Sequence, residues 1–183
     1  MSEIIIKNGQ LIDPKNAIER KADIQIIDGK IAAIEPAGTI TAGAEAKLVQ
    51  ADGLTVVPGL IDCCARLREP GLEHKATIQS ETIAAARSGI TTLCCPPDTD
   101  PVIDEPAVVE NQKRTFAGHS KVVTLGALTA GLRGAHLSEM YALQQAGCVG
   151  LSNCRKPVDS SQILKRAFAY AATFGIRTVS YTH

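Results

Sequence analysis

TIQSETIAAARSGITTLCC, residues 77–95, reads as a helix, a stop and a strand in immediate succession. Thr77 ahead of an alanine-rich run is a helix start signal, and Gly89 suits the left-handed position just past a helix end. The β-branched run ITTLCC then reads as a buried strand of a parallel sheet. The same unit recurs outward from this stretch. Further helices are expected near 105–117, 137–146 and 160–174, with start signals at Asp104 followed by Pro106 and at Asp159 or Ser160. In the last helix Ile163, Leu164, Ala167, Phe168 and Ala171 keep a helical period and predict one buried stripe. The other strands are TVVPGLIDC, KVVTLGAL, CVGLSN and IRTVSY. Each helix runs into a glycine, and Gly89, Gly118, Gly147 and Gly175 lie 29, 29 and 28 residues apart. A (β/α)8 barrel spends about 31 residues on each of its units. Residues 58–183 therefore read as the first part of a TIM-type (β/α)8 barrel.

Residues 1–57 are organised differently. EIIIKNGQLID, DIQIIDGKIAAIE and LVQADGLTVV each set Asn-Gly or Asp-Gly between β-prone runs. Such pairs favour the type I′ turns of tight hairpins, so a small antiparallel β domain is expected, incomplete without a further segment. A barrel stopped after its fifth strand exposes an apolar edge. Three solutions are open: a fragment of a longer chain, an edge covered by another chain, or an open doubly wound sheet. The ending TVSYTH, inside or just after a strand, favours the fragment.

Nineteen basic and nineteen acidic side chains cancel among 183 residues, and only 3% are aromatic. This balance points away from nucleic-acid and membrane-surface partners. The polar start MSEIIIKNGQ does not read as a signal peptide, so a cytoplasmic protein is expected, with its six cysteines as thiols. Most of those thiols are expected to be buried small hydrophobes.

In parallel α/β folds the chemistry sits at the carboxyl ends of the strands. The stretches to read are therefore DCCARLREPG, CCPPDTDP, ALTAGLRG, SNCRKP and SYTH. The run VVPGLIDCCARLREPGLEHKATIQSETIAAARSGITTLCCPPDTDPVID resembles the start of the barrel in dihydroorotases of the amidohydrolase superfamily. The likeness continues through GALTAGLRG and FGIRTVSYTH. The resemblance implies a metal-dependent cyclic amidohydrolase scaffold, a full-length chain well beyond 183 residues, and a C-terminal segment that completes the β domain.

The family reads D-x-H-x-H-L-R-E-P-G after its first strand, with both histidines binding zinc. Here Asp62 and Leu67 to Gly71 match, but the histidine positions hold Cys64 and Arg66. The family's M-P-N-T becomes Pro96-Pro97-Asp98-Thr99, and its S-D-D-G becomes Ser152-Asn153-Cys154-Arg155. The family's fifth-strand histidine falls on Tyr181, although a shift of register would bring in His183. Arg66 has no lone pair to offer and stays protonated, so it would set a positive charge where a cation belongs. Zinc lowers the pKa of bound water by about 9 units, on the order of 12 kcal/mol. No other group in the sequence replaces that effect.

The degenerate ligand positions are thus Cys64, Arg66, Asn153 and Tyr181, and no catalytic residue and no cofactor are expected. A thiolate zinc site of Cys64, Cys95, Cys154 and His183 is the rival reading. His74, His119 and His136 read as loop or surface residues. Arg68 matches the family residue that receives the substrate carboxylate and suits that role by bidentate bonding. Its alternative is a salt bridge with Glu69 or Asp98. Arg68 and Asp98 are the possible vestigial substrate contacts. The resemblance also implies a partner, because some dihydroorotase-like chains without metal ligands support the assembly of aspartate carbamoyltransferase. An active dihydroorotase or related cyclic amidohydrolase, and a metabolite-binding regulator, are the alternatives.

Overall fold

The computed structural model describes residues 2–115, 118–158 and 160–179. The chain divides after Pro58 into two compact units. In the first, β1 (Glu3–Asp13), β2 (Ile18–Ile27) and β3 (Lys30–Pro36) form an antiparallel meander. Then β4 (Lys47–Gln50) and β5 (Thr55–Val56) both pair with β1 in parallel, so the sheet is mixed rather than antiparallel.

Of the three expected hairpins, one is present. Asp28 and Gly29 both take positive φ, 48° and 76°, and link β2 to β3. Asn8-Gly9 does not end a strand. Asn8 sits at φ 61° in a bulge within β1, its N–H donating to the Asp23 carboxylate at 2.9 Å. Asp23 thus satisfies the amide that the bulge withdraws from the ladder. Asp52-Gly53 joins β4 to β5, which run in the same direction beside β1, one on each side of that bulge. A Cβ at Gly9 would come within 2.6 Å of Val56, so the crossing needs glycine.

The side chain of Asp23 is fully buried. It accepts from Lys7 Nζ at 2.6 Å and from the Ile40 N–H at 3.1 Å, while Lys7 also donates to the Ile40 carbonyl at 2.7 Å. One carboxylate therefore ties β1, β2 and the segment after β3 together. Leu11, Ala22 and Ile24 form the apolar core of this unit.

The second unit alternates strand and helix: β6 (Leu60–Asp62), α1 (Ile78–Arg87), β7 (Ile90–Cys95), α2 (Pro106–Thr115), β8 (Lys121–Ala127), α3 (Met140–Gln145), β9 (Gly150–Ser152), α4 (Ser161–Thr173) and β10 (Thr178–Val179). All five strands are parallel. Their order in the sheet follows their order in the chain without reversal. A doubly wound sheet reverses at a switch point, so this one is wound as a barrel is. Expected TVVPGLIDC divides at Pro58: Thr55–Val56 belongs to the first unit and Leu60–Asp62 opens the half-barrel.

Local chemistry explains the helix limits. Thr77 Oγ1 accepts from the Ser80 N–H while Ser80 Oγ accepts from the Thr77 N–H, a reciprocal cap on α1. Thr77→Ala is expected to cost about 1 kcal/mol, read as a lower urea midpoint at unchanged slope. Ser160 caps α4 by accepting from the Ile163 N–H, and the alternative start Asp159 lies outside the described residues. Asp104 is no cap, because its carboxylate accepts the Gly131 N–H at 2.7 Å instead. Helix α3 starts at Met140, three residues later than expected, because Ser138 Oγ donates to the Ala127 carbonyl and Leu137 bridges to Thr129.

Gly89, Gly147 and Gly175 take positive φ past their helices, at 79°, 102° and 63°. Gly118 does not. A Cβ there would lie 2.3 Å from Thr82 Oγ1, so close packing requires that glycine.

The larger core joins Ile103, Val109, Leu128, Met140, Leu143 and Leu151 with Ala167 and Ala171 of α4. The buried stripe of α4 is narrower than its period suggested: Leu164, Ala167 and Ala171 pack inward, whereas Phe168 is 41% exposed. Phe168 lies about 100° around the helix from Ala167. A second core holds Leu67, Ile78, Ala85, Leu93, Cys95 and Val122, with Ala65 against it.

Candidate functional site

The carboxyl ends of β6, β7 and β9 present the residues singled out from the sequence. After Asp62 the chain turns, with the Cys64 N–H bonding Asp62 Oδ1 at 2.9 Å and the Ala65 N–H donating to the Cys94 carbonyl at 2.9 Å. Arg66 then reaches across to the loop after β7. Its Nε donates to Asp98 Oδ2 at 2.8 Å, and its Nη1 lies 3.9 Å from Cys64 Sγ. Partial burial works against the charge on Arg66, but the Asp98 carboxylate outweighs it and raises the guanidinium pKa above its ordinary value. This ion pair was missed from sequence, where Asp98 was matched to Arg68; no spacing pattern links residues 66 and 98.

Arg68 is exposed, at φ 69°, and among the described residues no hydrogen bond or ion pair engages its guanidinium. Glu69 does not salt-bridge it either, because its Oε2 accepts the Ile78 N–H at 2.7 Å, at the start of α1. A negative charge there is favoured by the helix dipole and by the open amides of the first turn. The loop is thereby fastened to α1. Arg66, Arg68, Leu72, Pro96, Asp98 and Asp100 surround a hollow of about 150 Å³. A wider open hollow of about 750 Å³ reaches from Asp62 and Cys64 past Arg68 to Arg155.

Asn153 is buried and fully engaged. Thr129 Oγ1 donates to its Oδ1 at 2.6 Å, and its Nδ2 donates to the Lys156 carbonyl at 3.0 Å. Cys154 follows at φ 50°, and burial pushes its thiol up to about 11, with Asp98 adding to the rise and Arg66 opposing it. Cys95 is buried in the core beneath the helices and also lines the smaller hollow. Burial pushes its thiol up to about 11 as well, against the Gln112 Nε2 donor 3.5 Å from its sulfur. Among the described residues Cys64, Cys95 and Cys154 do not form a cluster that could hold a metal ion, and the fourth member of the rival set, His183, lies outside them. Tyr181 and His183 lie outside the described residues. His74, His119 and His136 are exposed.

Among the described residues no three His, Cys, Asp or Glu side chains converge to hold a metal ion. Two of the positions at the mouth hold groups that do not ligate zinc: a guanidinium that cannot be deprotonated, held in an ion pair, and an amide whose polar atoms are already bonded. What this arrangement can do is bind. Arg68, unpaired among the described residues, offers a planar fork beside a small concavity, a chemistry suited to a carboxylate.

The half-barrel has the fold of the amidohydrolase barrels. The L-hydantoinase (dihydropyrimidinase) of Arthrobacter aurescens superposes with a TM-score of 0.84 over 99% of this chain and 41% of that one, at 23% identity. A D-hydantoinase superposes at 0.78 over 98% and 40%, also at 23% identity. The chain belongs to the dihydro-orotase-like family, whose profile matches residues 53–183. A dihydroorotase-like protein of Pseudomonas putida is 43% identical over 98% of this chain, and one of Pseudomonas aeruginosa 45% over the same share. A dihydroorotase of Syntrophotalea carbinolica is 42% identical, again over 98%. The chain spans 42% of the length of each of these relatives. Among the described residues no helix is long and apolar enough to cross a membrane.

Proposed function

We propose that this chain is part of a cytoplasmic dihydroorotase-like protein of pyrimidine biosynthesis that has lost its metal ligands and serves as a non-catalytic subunit supporting the assembly of aspartate carbamoyltransferase. The observation that carries this reading is the Arg66–Asp98 ion pair set against Cys64, in the loop that otherwise keeps Leu67 to Gly71 of the family's motif. A guanidinium in that place has no lone pair for a cation and keeps the Asp98 carboxylate engaged, and without the cation nothing among the described residues at the mouth generates a nucleophilic water. The two dihydroorotase-like relatives from Pseudomonas support the family half of the proposal.

The test uses full-length protein purified without chelators. It is expected to carry no stoichiometric zinc, to leave carbamoyl aspartate and dihydroorotate unconverted, and to co-elute with the catalytic chain of aspartate carbamoyltransferase at micromolar concentration. Zinc at about one ion per chain that survives dialysis overturns the loss of ligands. Independent elution of the two proteins removes the assembly role.

The second reading is an active dihydroorotase, favoured by the 42% identity to a relative bearing that name. Cys64→His combined with Arg66→His separates the two. A silent protein stays inactive with two imidazoles restored, whereas an active one changes its rate. A third role, metabolite binding through Arg68, rests on that side chain lining the smaller hollow with no partner among the described residues, and is read as a thermal shift with dihydroorotate.

A further inference from the structure

Asp62 pairs with Leu93 in the parallel ladder of β6 and β7, yet the next bond runs from the Ala65 N–H to the Cys94 carbonyl. Two residues, Cys63 and Cys64, therefore oppose the single residue Cys94, as in a bulge. The faces are also assigned. Leu93, Cys95 and Ala65 pack into the core beneath the helices. Side chains alternate along a strand, so Cys94 takes the opposite face of β7. Cys63 and Cys64 lie in the turn just past β6, both close enough to add to the rise of the Cys94 thiol, and of the two it is Cys64 that has the Arg66 guanidinium beside it. Neighbouring strands lie about 4.8 Å apart, inside the Cα separation of about 4.4–6.8 Å that a disulfide spans. The two thiols differ in environment. Cys64 is exposed, with an Arg66 N–H 3.9 Å from its sulfur. Cys94 is buried, and burial, with Cys63, Cys64 and Asp62 adding to it, pushes its thiol up to about 11.

We propose that Cys64 and Cys94 form an oxidisable thiol pair, in which Cys64 reacts with a peroxide and Cys94 resolves the product into a disulfide joining the loop after β6 to β7. An accessible thiol beside a guanidinium is the type of site that peroxides oxidise. The Cys64 thiolate attacks one peroxide oxygen. The O–O bond breaks, the sulfur gains an S–OH group, and the leaving hydroxide takes the thiol proton as water. The Cys94 sulfur then attacks the Cys64 sulfur. An S–S bond forms, the S–OH bond breaks, and a second water leaves with the Cys94 proton. Two thiols are oxidised and one peroxide is reduced. Neither step uses a metal, so the pair stands or falls independently of the function proposed above.

The full chain is treated with hydrogen peroxide under denaturant-free conditions, then alkylated and mapped by peptide mass spectrometry. The expected result is loss of two hydrogens, with the disulfide assigned to Cys64 and Cys94. Cys64→Ser is expected to lose this bond, and Cys94→Ser to accumulate a Cys64 sulfenic acid that dimedone traps. Cys63→Ser is expected to form the bond as the unsubstituted chain does. Circular dichroism of each variant verifies that it is folded. A disulfide mapped to Cys63 or Cys154 overturns the assignment, as does oxidation that leaves all these thiols free in the folded protein.

Discussion

Asp23→Ala is expected to destabilise the N-terminal unit by about 3 to 5 kcal/mol, the usual cost of removing one member of a buried ion pair. The loss is large because the carboxylate has several partners. Lys7 Nζ, the Asn8 N–H and the Ile40 N–H all donate to it, and each is stranded in a largely dry site by the substitution. Hydrogen exchange at amides of β1 and β2, followed through a urea titration, reads the change. A loss below about 1 kcal/mol would mean that water reaches these groups and that the pair acts as an exposed one.

The same carboxylate predicts an acid limb. Burial alone would raise the Asp23 pKa, but the bonds from Lys7 and from the backbone of Asn8, Gly38 and Ile40 outweigh it and hold the value at about 2 instead of 3.8. A group whose folded pKa lies below its unfolded one stabilises the fold at higher pH. Its contribution is complete above about 4 and drains away as the pH falls toward 2, on the order of 2 kcal/mol in all. Asp23→Ala should flatten that limb between the two values, leaving the midpoint nearly constant there.

Leu143→Ala is expected to cost the half-barrel 2 to 5 kcal/mol, and about 4 is the value to anticipate. Leu143 is fully buried and packs over Gly126 of β8, where a Cβ would sit 2.9 Å from both Leu143 Cδ1 and Leu151 Cδ2. Glycine has no side chain with which to move into the vacated volume, so the cavity stays open. Leu143→Met, which keeps the volume, is expected to cost less than about 1.5 kcal/mol. Equal urea midpoints for the two variants would show that the strand collapses onto the helix after all.

The repeat of the half-barrel was legible because its signals are local. ITTLCC, the glycines after α1, α3 and α4, and Thr77 each act through backbone conformation or a cap within a few residues. The β unit was read less well, since Asn8-Gly9 carries the letters of a turn but lies in a bulge. What decides between the two is Asp23, a residue in another strand. The mouth shows the same limit. The match of Leu67 to Gly71, with Cys64 and Arg66 just before it, is read from position alone, but the Arg66–Asp98 and Glu69–Ile78 contacts depend on how two loops meet. Asp98 was read as a partner for Arg68 because those residues are linked by motif, whereas the fold brings Arg66 closer. Cys95 ends a strand and lines the smaller hollow, but that its side chain would also be buried against α1 was not legible.

The bonding of Asn153 suits an amide and not a carboxylate. An aspartate in its place would still accept from the Thr129 hydroxyl, but its second oxygen would face the Lys156 carbonyl, two lone-pair bearers with no proton between them. Asn153→Asp is therefore expected to weaken the turn that holds Lys156 in the loop after β9, a cost set by the direction of one backbone carbonyl rather than by any side chain nearby.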